Sequence, residues 1–247
     1  MTETNFLGVI PARYASSRLP GKPLLEICGR TMLEHVYRRA LLSDVFSRLI
    51  IATDDERIYD AAQKFNAEVM MTRSDHTDGT SRIAEVAEKF DADYVINIQG
   101  DEPLLDPRML RELAQGFAAD KGADSATVCI PIRHSEDFEN PNIVKVVRAL
   151  DGHALYFSRS PIPYPRNDTG CNVYEHLGIY AFTKDFLMKL VKLSPTPLMQ
   201  TESLEQLRIL EHGYTMAVIV TKYPSHGPNV NTPEDIEEVR RIMAAEK

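Results

Sequence analysis

Gly8-Val-Ile-Pro-Ala-Arg-Tyr-Ala-Ser-Ser-Arg-Leu-Pro-Gly-Lys-Pro-Leu-Leu25 decides how the rest of the chain is read. The apolar run Phe6 to Ile10 reads as a buried strand that ends at Pro11, and a loop with three cations, Arg13, Arg18 and Lys22, follows it. Ala15, Ser16, Ser17 and Gly21 are small enough to let backbone N–H groups approach a ligand, while Pro20 and Pro23 stiffen the bend that holds Lys22. A strand end followed by donors and positive charge suits a polyphosphate. No Gly-Lys-Ser/Thr opens a helix here, so the phosphate loop of ordinary kinases and GTPases is not indicated.

Outward from this loop, apolar runs at 6–10, 48–52, 68–71 and 94–98 read as strands, with amphipathic stretches at 31–43, 55–65 and 80–90 between them. Such alternation implies an α/β fold, a mostly parallel sheet with helices on both faces. Ligands of these sheets bind beyond the carboxyl ends of the strands. That rule sets the basic loop, Thr53-Asp54-Asp55, Thr72-Arg73-Ser74-Asp75-His76 and Gln99-Gly100-Asp101-Glu102 along one rim. After residue 122 the strand-like segments 124–133, 142–149, 153–158 and 173–182 crowd together. They suggest an antiparallel insertion at about 130–183 within a single domain spanning 1–247, covering one side of the site and supplying a dimer contact. Helices are expected again at 184–192 and 201–212, a strand at 215–220, and a last helix from the Thr232-Pro233-Glu234-Asp235 start.

With 247 residues and 43% apolar content, the chain is long enough to bury a large core. Its net charge of −8 and its lack of a basic stretch argue against nucleic acid as a partner, but not against a small anion met by a local cluster. Cys28, Cys129 and Cys171 have no metal-type spacing and read as reduced thiols of a cytoplasmic protein. No apolar run approaches the roughly 20 residues that a membrane span needs, so no membrane partner is expected.

Asp101 stands just beyond the apolar strand Tyr94-Val-Ile-Asn-Ile98, where a carboxylate either caps a turn or holds Mg²⁺, an ion that prefers oxygen ligands. The basic loop on the same rim favours the metal. Asn231, before the Thr-Pro helix start, either caps that helix or offers an oxygen to the metal. Arg73 in the polar loop 72–80 suits a phosphate or base edge, or is a plain connector residue. Asp54-Asp55 resembles the acidic pair of sugar-nucleotide glycosyltransferases, although a helix beginning at Asp55 explains it more simply. Strand periodicity puts His176, Gly178 and Tyr180 on one face, with a hollow at Gly178 that a sugar can occupy. Arg159 ends a strand and is a bidentate carboxylate partner; Glu205 and Gln206 flank the buried stripe of a helix, able to meet hydroxyl groups.

Nine ordered blocks are similar to the 3-deoxy-manno-octulosonate (Kdo) cytidylyltransferases, or CMP-Kdo synthetases: Ile10-Pro-Ala-Arg-Tyr14, Arg18-Leu-Pro-Gly-Lys-Pro-Leu24, Ala52-Thr-Asp54, Thr72-Arg-Ser-Asp-His76, Gln99-Gly-Asp-Glu-Pro103, Ala154-Leu-Tyr-Phe-Ser-Arg159, His176-Leu-Gly-Ile-Tyr180, Leu204-Glu-Gln-Leu-Arg208 and Asn231-Thr-Pro-Glu-Asp235. The resemblance implies a Rossmann-like nucleotide-diphospho-sugar transferase fold, a homodimer, and CTP + Kdo → CMP-Kdo + pyrophosphate with Mg²⁺, for lipopolysaccharide or capsule synthesis. By that likeness Arg13 and Lys22 bind the triphosphate with Arg18 nearby, and Thr72, Arg73, Ser74 and Gln99 lie at the nucleotide. Asp101 ligates the metal, and Gln99, Arg159, His176, Tyr180, Glu205 and Gln206 hold the sugar acid. One position departs: the family usually has Asp where this chain has Asn231, which keeps an oxygen but loses a charge. Lys22, Arg13 and Asp101 are the expected catalytic groups, because positioning and charge neutralisation suffice for attack on a phosphorus. The alternatives are the same chemistry on 8-amino-Kdo or a nonulosonic acid, a glycosyltransferase using Asp54-Asp55, and a silent binding protein.

Overall fold

The computed structural model describes residues 4–15, 19–167, 169–225 and 227–245. It divides into two compact units, Met1–Arg111 with Tyr223–Lys247, and Glu112–Lys222.

In the first unit, strands β1 (Phe6–Ala12), β4 (Arg48–Thr53), β5 (Glu68–Met71) and β6 (Tyr94–Asn97) pair in parallel in the order β6-β1-β4-β5. Four apolar runs in the sequence thus become four adjacent strands. Leu7, Val9, Ile10, Ile50 and Ile51 are almost wholly buried, as a sheet covered on both faces requires. Gly8 is there for lack of room: a Cβ would lie 2.7 Å from Leu49 Cδ1 and 2.9 Å from Phe46 Cδ1. Helices α1 (Met32–Leu41), α2 (Glu56–Lys64) and α3 (Gly79–Ala87) connect the strands, each opened by a side chain that accepts a backbone N–H: Thr31 from Glu34, Asp55 from Arg57, Asp78 from Ser81. A two-residue hairpin, β2 (Glu26–Ile27) with β3 (Arg30–Thr31), joins the basic loop to α1. The last helix, α9 (Pro233–Ala245), begins where its Thr-Pro start predicts and packs Val239 and Met243 with Ile27, Met32, Leu104 and Val230; Leu19 and Leu25 of the loop rest on this cluster.

Helix α4 (Pro107–Ala119), which the sequence reading omits, leads into the second unit. There β7 (Ser125–Pro131) runs parallel to β11 (Met216–Val220) and antiparallel to β10 (Tyr174–Thr183). Strand β8 (Lys145–Arg148) pairs antiparallel with both β10 and β9 (Ala154–Ser158). Short helices α5 (Ser135–Glu139) and α6 (Lys184–Leu190) complete the unit with α7 (Pro197–Glu202) and α8 (Leu207–Glu211). The single helix expected over 201–212 is two helices, because Ser203 turns left-handed at φ 52°, ψ 49° and ends α7. Among the described residues no helix is long and apolar enough to cross a membrane.

Lys145 organises the second unit. It is fully buried, and its ammonium donates to the carbonyls of Asn140 (2.9 Å), Ile143 (2.6 Å) and Arg159 (2.6 Å). Burial draws its pKa down, and the carboxylates of Glu139 and Glu202 work against that shift. Lys145→Met leaves these acceptors unpaired, at about 1–3 kcal/mol for each buried one. A clear fall in the urea midpoint, with the slope unchanged, is the expected reading.

Candidate active site

Arg13, Lys22, Gln99 and Asp101 line one open cavity of about 210 Å³ in the first unit, beside Pro11, Pro23 and Met32. Arg13 follows β1 and Asp101 follows β6, so both stand at the carboxyl ends of neighbouring parallel strands. Two glycines make this possible. Gly21, at φ 70°, turns the loop beneath the Tyr14 ring and donates its N–H to Tyr14 O at 2.9 Å, which presents Lys22 at the start of a short 3-10 turn. At Gly100 a Cβ would stand 3.2 Å from Pro11 O, so a bare backbone lets the Asp101 turn lie against β1.

At the centre, the Lys22 ammonium donates to Asp101 Oδ2 at 2.7 Å and to Asn231 Oδ1 at 3.4 Å. The Asn231 segment is held there twice. Val230 N–H donates to Asp101 O at 2.9 Å, and the Asp235 carboxylate accepts the N–H groups of Asn231 and Thr232, both at 2.8 Å. Burial by itself would raise the Asp235 carboxyl, but these N–H donors and nearby Lys22 hold it below its ordinary range. Thr232, whose Oγ1 accepts the Asp235 N–H at 3.3 Å, and the Asp235 carboxylate therefore serve the helix start, and the Asn231 side chain does not. Beside Asp101, Glu102 is buried, accepts from Ser225 Oγ at 3.3 Å, and is pushed up to about 7 by burial and the Asp101 charge.

Two observations bear on what this cavity holds. Arg13 Nη2 is buried without a hydrogen-bond partner, an open donor suited to an anion. The Asp101 and Asn231 oxygens converge on one positive charge, the Lys22 ammonium, so the donor set fits a hard cation completed by phosphate oxygens and water. Among the described residues no cluster of three or more His, Cys, Asp or Glu offers an all-protein metal site.

The other nucleotide candidates are placed differently. Thr72 accepts from buried Arg82 and donates to Thr53 O at 3.1 Å, so its hydroxyl is spent on the loop itself. Arg73 and Ser74 are exposed and do not line the cavity; Arg73 Nε meets Asp75 at 3.2 Å. Arg18 lies outside the described residues. The acidic pair is occupied: Asp54 accepts from Arg82 at 2.9 Å, and Asp55 caps α2 while pairing with Arg57 at 2.6 Å. Neither carboxylate is poised for a metal, which removes the geometric motive for a glycosyltransferase. The sequence gives no sign of Arg82, whose partners at the ends of β4 and β5 meet only in the fold.

The second unit gathers the remaining candidates. Thr127 Oγ1 has one proton and donates to Ile179 O at 2.7 Å, so His176 must donate its Nε2–H to Thr127, at 2.9 Å, and keep Nδ1 as an acceptor. The even spacing of His176 and Tyr180 is interrupted by a register shift between Leu177 and Tyr180, yet their rings stay 5.5 Å apart. Tyr180 donates its hydroxyl to Gln206 Oε1 at 3.2 Å, and buried Gln206 Nε2 has no partner. Burial, then the Glu205 carboxylate, raise the Tyr180 phenol. Arg159 differs most from expectation. Nε donates to Glu202 O at 2.7 Å and Nη1 to Pro141 O at 3.1 Å, while the Glu202 carboxylate takes Arg159 N–H at 2.9 Å and Ser158 Oγ at 2.6 Å. Its guanidinium is thus largely committed to carbonyls, and Glu202, which the sequence reading passes over, fixes it.

The fold is that of the α/β nucleotidyltransferases. A solved CMP:2-keto-3-deoxy-manno-octonic acid synthetase complexed with CTP superposes with a TM-score of 0.94 at 45% identity, covering 99% of this chain and 100% of that one. A cytidylyltransferase of Leptospira borgpetersenii shares the fold at 18% identity and a TM-score of 0.67, covering 98% of this chain and 87% of that one. The cytidylyltransferase family model matches residues 7–220. Proteins named 3-deoxy-manno-octulosonate cytidylyltransferase are 49% identical in Fusobacterium nucleatum, covering 95% of both chains, and 47% identical in Escherichia coli, covering 96% of both. This chain belongs to the cytidylyltransferase family and, within it, to the 3-deoxy-manno-octulosonate cytidylyltransferases.

Burial holds His176 down to about 3, against 6.5 in the unfolded chain. The unfolded state therefore binds the extra proton, so the stability this group contributes is complete above pH 6.5 and is lost as pH falls toward 3. The loss is about 1.4 kcal/mol per pH unit below 6.5. His176→Gln is expected to flatten that acid limb in urea titrations at pH 4.5, 5.5 and 7.

Proposed function

We propose that the protein transfers the cytidylyl group of CTP to 3-deoxy-D-manno-octulosonate, giving CMP-Kdo and pyrophosphate, with Mg²⁺ as cofactor. The observation that carries this reading is one cavity in which an open Arg13 donor, Lys22 and Asp101 meet at the carboxyl ends of parallel strands. The likeness to a synthetase complexed with CTP supports it.

The anomeric hydroxyl of the sugar gives up its proton to solvent and its oxygen forms a bond to the α-phosphorus, while the bond from that phosphorus to the bridging β-phosphate oxygen breaks and pyrophosphate leaves with the electron pair. No protein nucleophile is required. Arg13 and Lys22 bind the triphosphate and offset the charge that builds on the departing group. Asp101, with the Asn231 oxygen beside it, would hold Mg²⁺, which when bound supplies further neutralisation of phosphate charge. The bare backbone of Gly100 against Pro11 O brings the Asp101 turn up to β1, so the carboxylate stands beside Lys22. In the second unit, Gln206 Nε2, the His176 acceptor nitrogen, the Tyr180 hydroxyl and Glu205 are the kinds of group that hold a polyhydroxy acid. Arg159 contributes positive charge toward the sugar carboxylate with the donors that carbonyls leave over.

We also propose a homodimer working in the cytoplasm, with no nucleic-acid or membrane partner. Leu150, Leu155 and Tyr164 of the second unit are exposed at 110%, 61% and 85%, apolar surface that a second copy would cover, and Cys28, Cys129 and Cys171 are free thiols. Light scattering is expected to give twice the mass of the 27.9 kDa chain; Leu155→Glu is expected to shift it toward that of one chain.

Pyrophosphate release from CTP should depend on Kdo and Mg²⁺. Lys22→Ala and Asp101→Ala should each lower kcat/KM by about 2–4 kcal/mol of transition-state stabilisation. Parallel reactions with 8-amino-Kdo and sialic acid read the sugar preference; release with either of these, and none with Kdo, would refute the substrate assignment.

A further inference from the structure

The two groups that the proposed reaction needs for opposite charges are joined to each other. Lys22, which would take phosphate, is 2.7 Å from Asp101, which would take the cation. Both side chains are mostly sheltered, at 15% and 28% exposure, so a partner left alone there loses its compensation and regains only part of it from water. Asp235 is the other carboxylate facing Lys22, but its oxygen is held by the N–H groups of Asn231 and Thr232. Arg13 Nη2 stands outside this arrangement with no partner.

We infer that the Lys22–Asp101 ion pair is a latch, so that the cavity accepts triphosphate and divalent cation together and accepts either alone only weakly. The inference rests on the proposed function and concerns how that same site fills. A metal-free triphosphate that takes Lys22 must leave Asp101 unpaired beside its own negative charge. A divalent cation that takes Asp101 must leave an ammonium beside a dication. When both arrive, two opposite-charge pairs replace one and neither group is stranded. Arg13, whose open donor needs no rearrangement, gives a lone triphosphate its first and weak hold.

The association of Mg²⁺ with CTP in water mimics such coupling, so the test uses each ligand by itself. CTP binding is titrated calorimetrically in EDTA for the wild type, Asp101→Asn, Lys22→Met and the double variant, after each is shown to melt cooperatively. Asp101→Asn is expected to bind metal-free CTP roughly tenfold more tightly than the wild type, a size typical of coupled sites. In the Lys22→Met background the same change should give a clearly smaller gain, because there is no cation to release. Mn²⁺ alone, followed by electron paramagnetic resonance, should bind Lys22→Met more tightly than the wild type. An equal gain in both backgrounds, no gain from Asp101→Asn, or no tightening of Mn²⁺ overturns the latch. A wild type that binds no CTP even with Mg²⁺ overturns the latch and the functional reading together, whereas normal Mg²⁺–CTP binding without these effects overturns the latch alone.

Discussion

An ammonium caught between the Asp101 carboxylate and the Asn231 amide oxygen is the contact on which the candidate site depends. It ties three distant pieces of chain: the loop after β1, the turn after β6 and the lead-in to α9. Each piece reaches the point by a backbone device. Gly21 turns left-handed under Tyr14, Gly100 lies bare against Pro11, and Val230 donates to Asp101 O. Side-chain charge therefore joins what backbone shape has already delivered.

The two units hold their polar groups by different means. In the first, charges face one another across an open cavity and leave Arg13 Nη2 as an unused donor. In the second, Lys145, Arg159 and Glu202 are bound mainly to main-chain atoms or to one another's segments. Three carbonyls satisfy a buried ammonium and Glu202 supports the end of β9, so a cationic strand end persists at a place where bare burial would discourage it. The break at Ser203 serves the same end. It sends Glu202 toward Ser158 and Arg159, and Gln206 toward Tyr180.

The parallel strands were legible because each is a short apolar run bounded by polar residues, and the rim rule then placed Arg13, Gln99 and Asp101 together. Helix starts at Asp55 and Thr232 were legible from local capping chemistry. What stayed hidden depends on partners far away in sequence. Leu204, Leu207 and Arg208 fall at helical spacing just past the left-handed Ser203, so periodicity alone runs α7 and α8 together. Arg82 looks like any helix arginine until Asp54 and Thr72 are found around it. Asp54-Asp55 resembled a metal motif because sequence cannot show that both carboxylates are already engaged.

The loop that carries Lys22 rests, through Leu19 and Leu25, on a cluster that includes Val239 and Met243 of the last helix. Its ammonium also reaches Asn231, 209 positions further along. During synthesis, then, the loop that carries Lys22 lacks part of its floor until α9 has left the ribosome. Nucleotide capture by a nascent chain has to wait for that helix, and a change within α9 would be felt at a loop made long before it.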